Sequence, residues 1–219
     1  MTFSPPSQPP SVNQRPQRLA TVLILVGILE GVVIAFSLYS LIWVAVQLVF
    51  GPINTAPSNP GMEKYLEAVF AASLPVVQLP VLCVQVLLSA TLLYLTVQVF
   101  RGVGEEVGRL SSVLGVALGF TPAKFLFYAF VQFRIYPVLN AHLGALTPVG
   151  TAAPPPGFED MMSTILAVSM VLGIALNVVV LASKLFLYTF TRATLRREDS
   201  QRYFLARRAR LASAAHRDG

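Results

Sequence analysis

An apolar segment of about 30 residues runs from Ala20 to Phe50 and contains one carboxylate, Glu30, close to Gly27 and Gly31. As an α-helix rising about 1.5 Å per residue, it would reach some 45 Å, more than the roughly 30 Å of bilayer hydrocarbon. The apolar core of a cleaved signal peptide has only about 7 to 15 residues. The segment therefore predicts a retained membrane helix, in which a carboxylate is either paired or functional.

The composition also indicates a protein that crosses a membrane several times. Of the 219 residues, 55% are hydrophobic and only 12% are charged, whereas soluble domains have about 25% charged residues. The single cysteine, Cys83, has no partner for an intramolecular disulfide. A second, soluble domain is not expected, because the polar stretches are too short to form one.

The apolar runs predict an all-α integral membrane bundle of four transmembrane helices joined by short loops. The helices are expected at about 20–50, 71–100, 112–136 and 161–190, within a transmembrane domain at 19–190. Pro75 and Pro80 predict a kink in the first half of the second helix, since proline removes a helical hydrogen bond. Residues 1–18 are proline-rich and are expected to form a disordered tail, and residues 191–219 form a basic tail.

The basic residues predict which side of the membrane each loop faces. The N-terminal tail, the link at 101–109 and the C-terminal tail are rich in arginine, and cationic segments of this kind stay in the cytoplasm. The loops after the first and third helices contain Lys64 as their only cation, together with acidic residues. Both termini are therefore predicted to be cytoplasmic, in a cell membrane. Trp43 and Tyr39 are predicted to anchor the outer end of the first helix at the membrane–water interface.

Each predicted helix carries one stripe of polar residues at helical spacing, as expected for four helices turned toward a common axis. The residues of this polar axis, apart from the charged ones, are Gln78, Gln85, Gln132 and Asn177. Glu30 and Lys124 lie at similar depths past the starts of their helices, so an intramembrane ion pair is predicted between them, with Lys184 nearby. An unpaired charge at the bilayer centre costs about 2.5 to 3.5 kcal/mol, which pairing would largely remove.

Three roles stay open for Glu30: fixing the register of the helices, moving a proton or ion, and recognising a ligand. Small residues add a further signal, because Gly27 and Gly31, and likewise Gly115 and Gly119, have the four-residue spacing of close helix contacts. These glycines could pack within the bundle or against another copy or another membrane protein. The sequence therefore favours an accessory, assembly or scaffold component, with a small transporter or channel subunit as the alternative.

The basic C-terminal tail is compatible with a helix and is expected to bind anionic lipid, each cation contributing roughly 1 kcal/mol. The arginines concerned are Arg192, Arg196, Arg197, Arg207, Arg208 and Arg210. Nucleic acid is not an expected partner, since no aromatic stacking module accompanies the charge. No catalytic residue, metal site or cofactor is predicted, because His142 and His216 lack partners at metal-ligand spacing and no nucleotide or hydrolase motif occurs.

Overall fold

The computed structural model describes residues 16–51, 60–141 and 157–215. These residues form six helices and no strand, which confirms the predicted all-α class. The helices are α1 (Gln17–Phe50), α2 (Pro60–Ala72), α3 (Pro75–Phe100), α4 (Glu106–Ala141), α5 (Phe158–Leu195) and α6 (Glu198–Ala215). Four of the described helices, α1, α3, α4 and α5, are long and apolar enough to cross a membrane.

Part of the predicted loops and tails lies outside the described residues. This applies to residues 1–15, most of the tail expected to be disordered, and to 52–59, 142–156 and 216–219, including His142 and His216. Where the chain is described, the helices extend past their predicted bounds: α4 covers 106–141 and α5 covers 158–195. The helices thus continue through polar residues at their ends. The predicted bounds left these residues out because they were drawn from the apolar runs alone.

The predicted second apolar run is divided between two helices. The helix is interrupted at Ser73 and Leu74, between the end of α2 and Pro75. Leu74 has a left-handed backbone conformation (φ 54°), which ends α2 in the way a C-terminal cap does. The Ser73 hydroxyl donates to the Phe70 carbonyl at 2.7 Å. Pro75 opens α3, where its missing N–H costs nothing, while Pro80 lies inside the helix.

The turn between α3 and α4 is closed by a capping motif that needs glycine. Val103 N–H donates to the Gln98 carbonyl at 3.0 Å, and Gly102 N–H donates to the Val99 carbonyl at 2.9 Å. This pattern places Gly102 in the left-handed region (φ 90°), which a residue without a Cβ adopts without strain. The turn leaves the backbone of 101–105 available to α6.

Two compact units divide the described chain. The first unit combines residues 16–32, 88–118 and 186–215, and the second combines residues 33–87 and 119–185 as far as they are described. The main cluster of buried apolar side chains belongs to the first unit and includes Leu19, Leu92, Leu114, Leu195 and Phe204. The first unit therefore contains the main apolar core of the described residues.

Candidate functional site

Glu30 lies inside the first unit, completely shielded at 0% exposure. Its Oε1 accepts a hydrogen bond from the hydroxyl of Tyr188 on α5, a residue that is itself only 1% exposed. The other oxygen, Oε2, is buried without a hydrogen-bond partner among the described residues. Because a buried carboxyl without donors is costly, the Tyr188 hydroxyl is an essential part of this site.

Sequence reasoning missed Tyr188, although a signal for it was present. Tyr188 follows Lys184 by four residues and so continues the polar stripe that aligned Asn177 and Lys184 on the fourth predicted helix. The sequence prediction for Glu30 included only charged partners, whereas a phenol hydroxyl can also donate to a carboxylate. Lys184 is itself buried, at 6% exposure, in the second unit.

The two glycines flanking Glu30 have different surroundings. A Cβ added to Gly27 would lie 3.9 Å from a Leu93 methyl carbon and 4.0 Å from that of Thr96, so α1 and α3 approach each other closely there. A Cβ added to Gly31 would have no described atom of another helix within 4 Å. Gly27 therefore faces α3 within the first unit, and the role of these glycines in helix association stays a prediction.

The glycines of α4 differ in the same way. A Cβ at Gly115 would lie 3.4 Å from a guanidinium nitrogen of Arg192, so the arginine side chain crosses the helix at this glycine. Gly119 is exposed, with no described atom within 4 Å. Arg192, expected in the lipid-binding tail, thus belongs to α5 and contacts α4, and its Nε is buried without a described partner.

Lys124 lies in the second unit and is held there by a polar contact. Its ammonium donates to the Gln85 Oε1 at 3.2 Å, and its Nζ lies 5.6 Å from the centroid of the Tyr128 ring. Gln85 is only 4% exposed. Because Glu30 belongs to the other unit, the predicted Glu30–Lys124 ion pair stays a prediction.

A cavity of about 420 Å³ in the second unit brings four of the predicted polar residues together. Gln78, Lys124, Gln132 and Asn177 all line it, one or two from each of α3, α4 and α5. The α1 residues around it include aromatic side chains and hydroxyls, among them Trp43, which the sequence had indicated only as an interface anchor. The lining of this cavity comes from all four long helices, and a polar axis through the membrane stays a prediction.

Pro122 is a signal for this cavity that sequence reasoning did not use. It lies inside α4, two residues before Lys124. A proline within a helix cannot donate to the carbonyl four residues earlier, and its ring pushes that turn apart. The backbone groups that a proline frees in a membrane helix are tolerated where the helix faces protein or a water-filled cavity.

The C-terminal helix α6 packs on the turn that joins α3 and α4. Phe204 is 6% exposed, and a Cβ at Gly104 would lie 3.3 Å from that of Phe204. Arg207 donates to the Arg101 carbonyl at 2.6 Å, and Arg208 lies 3.3 Å from Glu105. Arg192, Arg207 and Arg208, three of the arginines expected to bind lipid, therefore contact the protein itself. The side chains of Arg196, Arg197, Arg208 and Arg210 are exposed. Lipid binding by this helix stays a prediction.

Within the described residues, no three His, Cys, Asp or Glu side chains are grouped so that they could hold a metal ion. Comparison of the chain with protein-family models, with curated proteins and with solved structures finds no match. The functional proposal for this chain therefore rests on its own residues.

Proposed function

We propose that the chain is an integral membrane protein that crosses the cytoplasmic membrane four times with both termini in the cytoplasm. We propose further that it acts as an accessory, assembly or scaffold component by associating with other membrane helices. The four long apolar helices are compatible with a membrane protein. The orientation and the mode of action rest on the distribution of charge and on the exposed face of α5.

The distribution of arginine supports cytoplasmic termini. Every described arginine except Arg134 belongs to the first unit, which also contains the first residues of α1 and all of α6. Arginine-rich segments next to membrane helices remain on the cytoplasmic side. The start of α1, the turn between α3 and α4 and the helix α6 would then lie on the cytoplasmic side, and the loops on either side of α2 and before α5 would face outward.

The observation that carries the association role is the exposure of α5. None of the residues in its most apolar 18-residue stretch is buried, whereas 28% of the corresponding stretch of α1 is. Leu172 and Val179 lie seven residues apart on one face and are 59% and 62% exposed. An apolar helix with so little packing against its own chain provides a continuous surface for the helix of a partner.

Glu30 also favours a structural role over a transport role. It is fully shielded, it is hydrogen-bonded to Tyr188, and it is not among the residues lining the cavity of the second unit. A carboxyl that carries protons or ions needs access to water on at least one side. A carboxyl that fixes the packing of α1 and α5 needs the burial and the hydroxyl partner found here.

Site-specific photocrosslinking in native membranes tests the association role. A photoreactive phenylalanine analogue at position 172 or 179 is expected to yield adducts of one defined mass with a polypeptide, because both positions lie on the exposed face of α5. The matched control is position 28, since Ile28 is an equally exposed apolar residue (62%) on α1. Lipid adducts alone, or the same protein adducts from all three positions, would overturn the association role.

Cysteine accessibility tests the orientation independently. In a Cys83→Ala background, a membrane-impermeant maleimide added to intact cells is expected to label Lys64→Cys and Asp160→Cys. It should label Val103→Cys and Ser213→Cys only after the membrane is opened. All four native side chains are exposed, so accessibility depends on the side of the membrane alone. The reverse labelling pattern would contradict the proposed orientation.

The second candidate function is a small transporter or channel subunit, and the cavity around Lys124 supports it. Cavities lined by polar groups on several helices are where membrane carriers hold their cargo. Ion or solute flux in proteoliposomes that disappears in a folded Lys124→Met variant would favour this function. Co-purification of a stable membrane partner without flux would favour the association role.

A further inference from the structure

We propose that the cavity of the second unit binds an amphiphilic carboxylate, a single carboxylate group carried on an apolar chain or ring. The proposal goes beyond the association role, because it gives this cavity a ligand of defined chemistry. It rests on the charge of the lining residues, on their apolar contribution, and on the way Lys124 is held. The cavity volume of about 420 Å³ falls in the range of small-molecule sites, roughly 300 to 1,000 Å³.

The charge of the lining selects an anion. Lys124 is the one charged residue among those that line the cavity, and none of them is a carboxylate. Gln78 and Gln132 add amide groups that can donate hydrogen bonds to an oxyanion. The Asn177 amide donates one N–H to the Gly173 carbonyl at 2.9 Å and carries a second N–H. In a low-dielectric surrounding, an ammonium with amide donors beside it attracts a negative group far more strongly than in water.

The single positive charge also selects a carboxylate over a phosphate. Phosphate groups carry up to two charges and are bound by several cations, by bidentate arginines or by helix N-termini. The lining residues include no arginine. One ammonium with neutral amides matches the one charge and two oxygens of a carboxylate.

The apolar part of the lining selects a ligand with an apolar body. Phe36, Trp43 and Leu82 line the same cavity and offer flat or aliphatic surface instead of polar groups. Burying the alkyl part of a ligand removes apolar surface from water, so affinity should rise about 4-fold for each methylene group that enters the cavity. Acetate, which has the charge without the chain, should bind much more weakly.

Lys124 is oriented before any ligand arrives. Its ammonium donates one hydrogen bond to the buried Gln85 and faces the ring of Tyr128, which fixes the direction of the side chain. A pre-oriented cation lowers the entropy that binding would otherwise cost.

The fluorescence of Trp43 provides a direct test, because it is the only tryptophan in the chain and it lines the cavity. The full-length protein in lipid nanodiscs is titrated with ω-bromooctanoate, whose bromine quenches indole fluorescence on contact. The matched neutral probe is ω-bromooctanol, which enters lipid more readily than the carboxylate because it has no charge and so reports quenching from the lipid phase. Saturable quenching by the carboxylate, reversed by octanoate but not by an equal concentration of acetate, is the expected result.

Variants connect the quenching to the cavity. Lys124→Met is expected to weaken ω-bromooctanoate binding by about 10-fold or more, the effect of losing a hydrogen bond to a charged group. Lys124→Arg should restore most of it. The control Arg134→Gln removes an exposed cation of the same helix outside the cavity lining and should leave binding unchanged. Gln78→Leu, which keeps the lysine, should weaken binding several-fold even if Lys124→Met fails to fold.

Three results would overturn the proposal. The first is equal quenching by ω-bromooctanol and ω-bromooctanoate, which would indicate partition into lipid only. The second is unchanged carboxylate binding in a folded Lys124→Met or in Gln78→Leu. The third is displacement by acetate as effective as displacement by octanoate, which would indicate a small-anion site instead of a site for an amphiphile.

Discussion

Replacing Tyr188 by phenylalanine is expected to lower the free energy of unfolding by about 2 to 3 kcal/mol. The substitution removes one oxygen atom and leaves the ring, so the packing of this buried residue is preserved. Glu30, at 0% exposure, would then lose the hydroxyl that donates to its Oε1, while its Oε2 already has no described partner. A buried carboxyl without a donor is among the most destabilising arrangements that a single substitution creates.

Denaturant unfolding of the purified protein in lipid or mild detergent measures this loss. The matched control is Tyr94→Phe, which removes the same oxygen atom from a residue that is 60% exposed on α3. Substitutions at exposed positions usually change stability by less than about 0.5 kcal/mol. If both variants lose the same small amount, the Tyr188 hydroxyl does not support Glu30.

Replacing Phe204 by alanine is expected to release α6 from the turn between α3 and α4. A buried phenylalanine truncated to alanine loses about 3 to 5 kcal/mol of packing. Phe204 is part of the apolar cluster of the first unit, and its Cβ lies close to Gly104. Arg207 and Arg208 would lose their contacts with Arg101 and Glu105 once the helix separates.

Limited digestion with trypsin measures this release, because α6 contains several arginines that the protease can cleave only when the helix opens. A docking loss of about 3 kcal/mol corresponds to cleavage roughly 100 times faster. Leu205→Ala is the control, since Leu205 is the next residue and is 66% exposed. Equal cleavage rates for the two variants would show that Phe204 does not hold α6 in place.

The long helices could be predicted from the sequence because their apolar runs are a local property. The break between α2 and α3 could not, since it depends on the left-handed conformation of Leu74, a residue with no preference for turns. The docking of α6 depends on contacts between Phe204 and a turn some hundred residues earlier in the chain. Composition predicted the charge of this helix but not the surface that it covers.

The candidate site was predicted in part. Helical spacing identified the polar stripes, and four of those residues, Gln78, Lys124, Gln132 and Asn177, line one cavity. Spacing along one helix does not determine which side chains of another helix it meets, so the partner found for Lys124 is Gln85. For Glu30 the predicted partners were opposite charges, and the structure adds the Tyr188 hydroxyl, while the ion pair with Lys124 stays a prediction.

One coupling free energy decides whether Glu30 holds the helices together. Unfolding is measured for the native protein, Glu30→Leu, Tyr188→Phe and the double variant under the same conditions. The double variant removes both polar groups and should be at least as stable as the better single variant, because no orphaned carboxyl or hydroxyl remains. A coupling of about 1.5 to 3 kcal/mol is the expected result, and additivity within about 0.5 kcal/mol would contradict a structural role for Glu30.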